Sequence, residues 1–176
     1  MNDSKSYLFG GNKLWDEHVW ITSDDRVRGG KSQSYLTCSP ESNTASFHGT
    51  LDISALGGAG FASQRTIDSL SWDLTDYQGI SLGVAGGDGK KYTLILKDEV
   101  LPKRPDGREQ STVSWEYDFV SGNTEITVSW GDFRPTYRGR PKPDADPLRL
   151  DRIKRISIMM RRLVAYLCSP TYISCR

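Results

Sequence analysis

Thr112-Val113-Ser114-Trp115-Glu116-Tyr117-Asp118-Phe119 alternates polar and apolar side chains without a break. Successive side chains of a strand point to opposite faces, so this period of two predicts a half-buried β-strand with Val113, Trp115, Tyr117 and Phe119 turned inward. After the turn cluster Ser121-Gly122-Asn123 the period resumes, with Ile126, Val128 and Trp130 alternating with Glu125, Thr127 and Ser129. Two such runs around a short Gly/Asn loop predict a β-hairpin. A second hairpin is predicted upstream, from Ile80, Leu82 and Val84 through Gly86-Gly87-Asp88-Gly89 to Tyr92, Leu94 and Leu96. Glycine supplies the positive φ that a tight turn needs. Residues 19–22, 34–38 and 45–51 are further strand candidates, and nothing up to Trp130 carries a sustained helical stripe. Downstream, Ile153, Ile156, Met160, Leu163 and Leu167 fit an amphipathic helix, a pattern that slightly outweighs the strand-like alternation of Ile156, Ile158 and Met160.

The chain has 176 residues, 36% of them hydrophobic, which suits one domain with one core. Its 17 glycines and 8 prolines favour short elements and many turns. A run of about 18 apolar residues is missing, so no transmembrane helix is expected. The three cysteines, Cys38, Cys168 and Cys175, are an odd number without zinc spacing and are expected as free thiols in a reducing compartment. Met1-Asn2-Asp3-Ser4-Lys5 has neither the apolar core of a secretory signal nor the Arg-rich, acid-poor character of a mitochondrial presequence.

The net charge of +1 hides an asymmetry: residues 1–133 carry −7 and residues 134–162 carry +7. The basic stretch either docks an acidic partner or folds back on the acidic body, and the second reading is favoured. Nucleic acid is not expected as a partner, because only Tyr137 offers a stacking ring among these charges.

Catalytic signatures fail on inspection. Gly58-Ala59-Gly60-Phe61-Ala62-Ser63 lacks the third glycine of a dinucleotide loop, and Gly86-Gly87-Asp88-Gly89-Lys90-Lys91 lacks the spacing of a phosphate loop. There is no GxSxG, and His18 and His48 lie on unremarkable segments. The carboxylate pairs Asp24-Asp25 and Asp98-Glu99 are sequence neighbours, which on a strand point apart rather than across a cleft. Asp24 also invites comparison with a calcium ligand, although a solvated turn leading into Arg26 explains it more simply. Neither catalysis nor a cofactor is therefore expected. What stands out instead is Asp24-Asp25-Arg26-Val27-Arg28-Gly29-Gly30-Lys31-Ser32-Gln33-Ser34, which packs charges, a double glycine and hydroxyls into one segment. It can offer N–H groups and guanidinium forks to a partner, or pair internally. Arg134-Pro135-Thr136-Tyr137-Arg138-Gly139-Arg140 is its basic counterpart, and mutual docking of the two is plausible on charge. Residues 98–110 and 131–148 are long, proline-bearing loops, the kind of segment that often carries function.

These segments also carry a resemblance. Trp20 with residues 23–34, Phe47-His48-Gly49-Thr50-Leu51, residues 58–63, Gly86-Gly87-Asp88-Gly89-Lys90-Lys91-Tyr92, and Trp130-Gly131-Asp132-Phe133 running into residues 134–140 follow one another at a spacing similar to that of the complex I intermediate-associated protein 30 family. The resemblance implies an all-β, single-domain, galactose-binding-like jelly-roll sandwich over residues 14–161, between an N-terminal extension (1–13) and an atypical tail (162–176). It tips residues 153–160 towards a strand. The tail does not match the family's last strand, which is expected to be missing or replaced, leaving a sheet edge open. The implied function is that of a chaperone-like assembly factor that binds intermediates of mitochondrial respiratory complex I. A carbohydrate-binding module, or a non-mitochondrial protein-interaction domain of the same family, is the alternative, with the cytoplasm as the alternative location. The expected partner surface comprises Asp24, Asp25, Arg26, Arg28, Lys31, Ser32, Phe61, Arg65, Tyr137, Arg138 and Arg140, with no metal.

Overall fold

The computed structural model describes residues 5–122, 124–161 and 166–175, with side chains only from 173 onward in the last segment. Among them there is no α-helix; four single-turn 3-10 helices interrupt an all-β chain. The strands are β1 (Ser6–Gly10), β2 (Trp20–Thr22), β3 (Gln33–Ser39), β4 (Thr44–Thr50), β5 (Phe61–Thr66), β6 (Gly79–Ala85), β7 (Lys91–Lys97), β8 (Ser114–Val120), β9 (Thr124–Ser129), β10 (Arg134–Tyr137), β11 (Arg140–Pro141), β12 (Arg155–Arg161) and β13 (Tyr166–Cys175). They form two antiparallel sheets. The first runs β3-β4-β13-β6-β9, with β1 also on β13; the second runs β11-β10-β8-β7-β12-β5-β2.

Both predicted hairpins are corrected. β6 pairs with β9 and β13, whereas β7 pairs with β8 and β12. Each predicted turn is an arch that carries the chain from one sheet to the other. Alternation fixes which face of a strand is apolar but not which neighbour it bonds, and a few residues suffice to cross the ~10 Å between packed sheets. The two arches pack on each other: a Cβ on Gly87 would lie 2.5 Å from the Gly122 nitrogen. Ser121 donates to Asp88 at 2.9 Å across the same contact. Asn123, in the second arch, lies outside the described residues.

The predicted strands at 19–22, 34–38 and 45–51 are β2, β3 and β4, and β3 and β4 do form a hairpin. The helical reading of residues 153–167 is overturned, because Arg155–Arg161 is a strand between β5 and β7. Ile153 sits before the strand in an isolated bridge to Trp72, and Leu163 lies outside the described residues. The tail is also corrected: β13 lies inside the first sheet between β4 and β6, so the last strand is replaced and no edge is left there. Residues 162–165, and the Cys168 side chain, lie outside what is described; Cys38 and Cys175 are free thiols.

The core lies between the sheets. Phe47, Ile80, Leu82, Val128 and Ile173 from the first meet Tyr92, Leu94, Leu96, Ile156, Ile158 and Met160 from the second, all at 0–1% exposure. Burying each such side chain contributes about 1.5–3 kcal/mol. Phe9, Trp15, Trp20 and Trp72 pack ring against ring at one end with contacting centroids 5.0–5.9 Å apart, Phe9 stacked on Trp15 and edge-on to Trp72. The segment expected as an N-terminal extension thus supplies β1 and part of the core.

Candidate functional site

Because Ile156, Ile158 and Met160 face the core, Arg155, Ser157, Met159 and Arg161 face the other way. With Phe61, Ser63 and Arg65 of β5, Ile95 and Lys97 of β7, and Ser114 and Glu116 of β8, they floor a groove of about 850 Å³ on the outer face of the second sheet. The loop between β7 and β8 walls it on one side.

Charge is built into this floor. Arg65 and Arg155 are 5% exposed, and two carboxylates bridge them. Asp68 accepts from Arg65 at 3.0 Å and from Arg155 at 2.5 Å; Glu109, from the loop, accepts from Arg155 at 2.8 Å and also from Arg65. Burial pushes the Glu109 and Asp68 carboxyls up, but the hydrogen bond from Arg155 and the charges of both arginines outweigh it and hold them below the usual carboxylate range. Arg161 donates to Glu116 at 2.7 Å and to Asp118 at 2.9 Å. Lys97 donates to the Thr112 hydroxyl at 2.9 Å. Burial, then repulsion from Arg155, pushes its ammonium down to about 8, against the pull of Glu109 and Glu116.

The segment 24–34 is placed beside this groove, but its acids point inward. Asp24 is 3% and Asp25 0% exposed. Asp24 accepts from Ser34 N (2.9 Å), Ser34 Oγ (2.6 Å) and Ser63 N (3.0 Å); Asp25 accepts from Ser32 N (3.0 Å), Ser32 Oγ (2.7 Å) and Phe61 N (3.1 Å). Ser34 lies on β3 and Ser63 on β5, so Asp24 ties one sheet to the other. Gly30 is required here, since a Cβ would fall 2.2 Å from Asp25 Oδ1. Asp24, Asp25 and the buried Ser32 are therefore corrected from partner-binding candidates to structural anchors. The Asp24 oxygens are taken by backbone amides, a hydroxyl and Arg26 (3.2 Å).

The other candidates divide. Arg65 is in the groove floor, and Arg28, Phe61 and Arg138 line the same groove. The Arg28 guanidinium sits 5.8 Å from the Phe61 ring centre, and Arg138 sits 5.4 Å from that of Tyr137 while donating to Ser111 at 3.2 Å. Arg26, Lys31, Tyr137 and Arg140 are exposed outside it. The two segments do not dock as charge suggested: among the described residues no hydrogen bond or ion pair joins 24–34 to 134–140. The basic stretch instead folds back elsewhere, through Arg149 on Asp98 (3.3 Å), Arg155 and Arg161. Sequence reading missed Asp68, Lys97, Glu109, Arg155 and Arg161. Their signal was the polar register of 155–161, which becomes informative only once the apolar register is known to be core.

A Schizosaccharomyces pombe protein, "Uncharacterized protein C9E9.15", is 42% identical over 162 residues, covering 88% of this chain and 74% of its own. In fold, the chain is similar to the family 11 carbohydrate-binding module of the cellulosomal cellulase Lic26A-Cel5E of Clostridium thermocellum, with a TM-score of 0.64 at 15% identity over 97% of this chain and 94% of the module. A family 11 module from the same organism, in complex with a β-1,3-1,4-mixed-linked tetrasaccharide, gives 0.62 at 15% identity over 92% and 93%. The fold is thus the galactose-binding-like jelly roll. The family match runs over residues 7–166, from β1 to the start of β13, and on that match the chain belongs to the complex I intermediate-associated protein 30 family.

Proposed function

We propose that this chain is a non-catalytic assembly factor that holds incompletely assembled complex I in mitochondria, through the groove on the outer face of its second sheet. The observation that carries this reading is the family match across residues 7–166, to a family named for association with complex I intermediates. The groove supports it. Glu109 is tied to Arg155 and Arg65, which hold its carboxyl below the usual range and leave it ill suited to general acid work. Tagged full-length chain is expected to recover complex I subunits from cells, and its loss is expected to lower assembled complex I on native gels. Recovery of no such subunit, with complex I at its normal level after deletion, overturns the proposal.

A second reading is a sugar-binding module, favoured by the jelly-roll fold and an open groove of this size. It fares less well on chemistry. None of the five tryptophans lines the groove; its one aromatic ring among the described residues, Phe61, already lies under Arg28. A glycan array that gives specific binding, lost on Phe61→Ala, would favour it.

A further inference from the structure

The chain carries +1 overall, yet among the described residues the groove gathers eight Lys or Arg side chains and three acidic ones. A concave surface with low-dielectric walls focuses such a field and concentrates anions. Two of the cations are unlike surface residues. The side chains of Arg65 and Arg155 are 6% exposed, and the Nε–H of each is buried without a hydrogen-bond partner among the described residues. Unpaired buried donors of this kind are costly. Glu109 differs from the arginines it bridges: it is 39% exposed and sits on the loop between β7 and β8, so it can leave without breaking a ladder. Arg28, Arg108 and Arg138 also line the groove and make no ion pair among the described residues.

We infer that the groove docks an acidic polypeptide segment, one carboxylate of which replaces Glu109 across Arg65 and Arg155 while Arg28, Arg108 and Arg138 hold its neighbours. This rests on the protein-binding reading above and names the partner's chemistry. Glu109 shows that a carboxylate fits across the two guanidiniums, and carboxylate–guanidinium bonds are among the stronger hydrogen bonds available. Glu109 is then an internal competitor that weakens loose acidic ligands. Single-stranded nucleic acid fits less well, because its bases need open stacking rings and Phe61 is covered.

The test uses the purified full chain with fluorescein-labelled octaglutamate, an octaglutamine control and a twelve-nucleotide oligothymidylate. Octaglutamate is expected to bind and octaglutamine not. Glu109→Gln is expected to tighten octaglutamate about tenfold, and Arg155→Gln to weaken it by about the same factor. If Arg155→Gln does not fold, Arg138→Gln on the exposed rim replaces it, with binding expected to fall about threefold and the melting temperature to hold. Equal octaglutamate affinity of wild type and Glu109→Gln, or tighter binding of oligothymidylate, overturns the inference. The two proposals fail separately. Octaglutamate binding that responds to Glu109→Gln upholds the groove even if no complex I subunit is recovered from cells. Recovery of those subunits undiminished by Arg138→Gln and Arg155→Gln overturns the groove and leaves the assembly role standing.

Discussion

At the scale of single residues, the chain spends its most conspicuous acids on itself. Asp25 accepts from Ser32 N, Ser32 Oγ and Phe61 N, so removing its carboxylate strands two amides, while the Ser32 hydroxyl keeps only the longer bond to Asp52 O at 3.2 Å. An orphaned buried donor costs about 1–3 kcal/mol, so Asp25→Ala is expected to lower stability by roughly 3–5 kcal/mol in urea unfolding. Arg26→Ala, which breaks only a half-exposed pair with Asp24, is expected to cost under about 1 kcal/mol. Equal losses from the two would show that the segment is not held by its buried carboxylates. Sequence reading singled out this segment and could not orient it. Whether an aspartate faces water or amides depends on Phe61 and Ser63, more than thirty residues away, and no local pattern encodes that pairing. Arg65 and Phe61, both expected on a partner surface, lie in the groove, but Glu109, which accepts from Arg65, and Arg155, which shares that carboxylate, come from other elements and escape a local reading.

At the scale of elements, what the sequence conveyed was strand positions and inward faces. Val113, Trp115 and Phe119 alternate as read, because burial itself imposes the period. Pairing was not legible. Gly86-Gly87-Asp88-Gly89 makes an equally good turn within a sheet or between sheets, and long-range ladders decide which. The same holds for the C-terminal stretch, where β13 forms although its sequence departs from the family pattern. Its place between β4 and β6 makes it a structural test case. Ile173, near its C-terminal end, is fully buried, so Ile173→Ala is expected to cost about 2–5 kcal/mol in urea unfolding. A chain stopped after Arg161 would leave β4 and β6 without a common neighbour, and is expected to lose cooperative unfolding and dispersed amide resonances. A truncated chain that kept both would show that the first sheet closes without β13.

At the scale of the whole molecule, a basic groove on a nearly neutral chain makes Lys97 a gauge of both stability and binding. Its ammonium is pushed from 10.5 down to about 8, first by burial and then by Arg155, with Arg65 adding to the repulsion and Glu109 and Glu116 opposing it. The sign follows from proton counting. Between pH 8 and 10.5 the unfolded chain holds a proton that the folded chain lacks, so the Lys97 contribution to stability rises with pH across that window, by roughly 3 kcal/mol in all. Cys38 acts in the opposite direction but later: burial and the nearby Glu17 and Asp16 raise its thiol from 9.0 to about 11, so its contribution falls as pH passes from 9 to 11. Cys175, also raised by burial, acts in the same direction as Cys38, so the lysine is read from pH 8 to 9 as the difference between wild type and Lys97→Met, in which both thiols cancel. Wild type is expected to gain stability there relative to Lys97→Met, whose curve should be flatter. Loss of the ammonium also removes one of the groove's positive charges, so octaglutamate should bind several-fold more weakly at pH 9 than at pH 7, and Lys97→Met should show little change. A heteronuclear titration of the Lys97 side chain reads the cause directly. A midpoint near 8 ties both effects to this residue, and a midpoint above 10 would detach them from it.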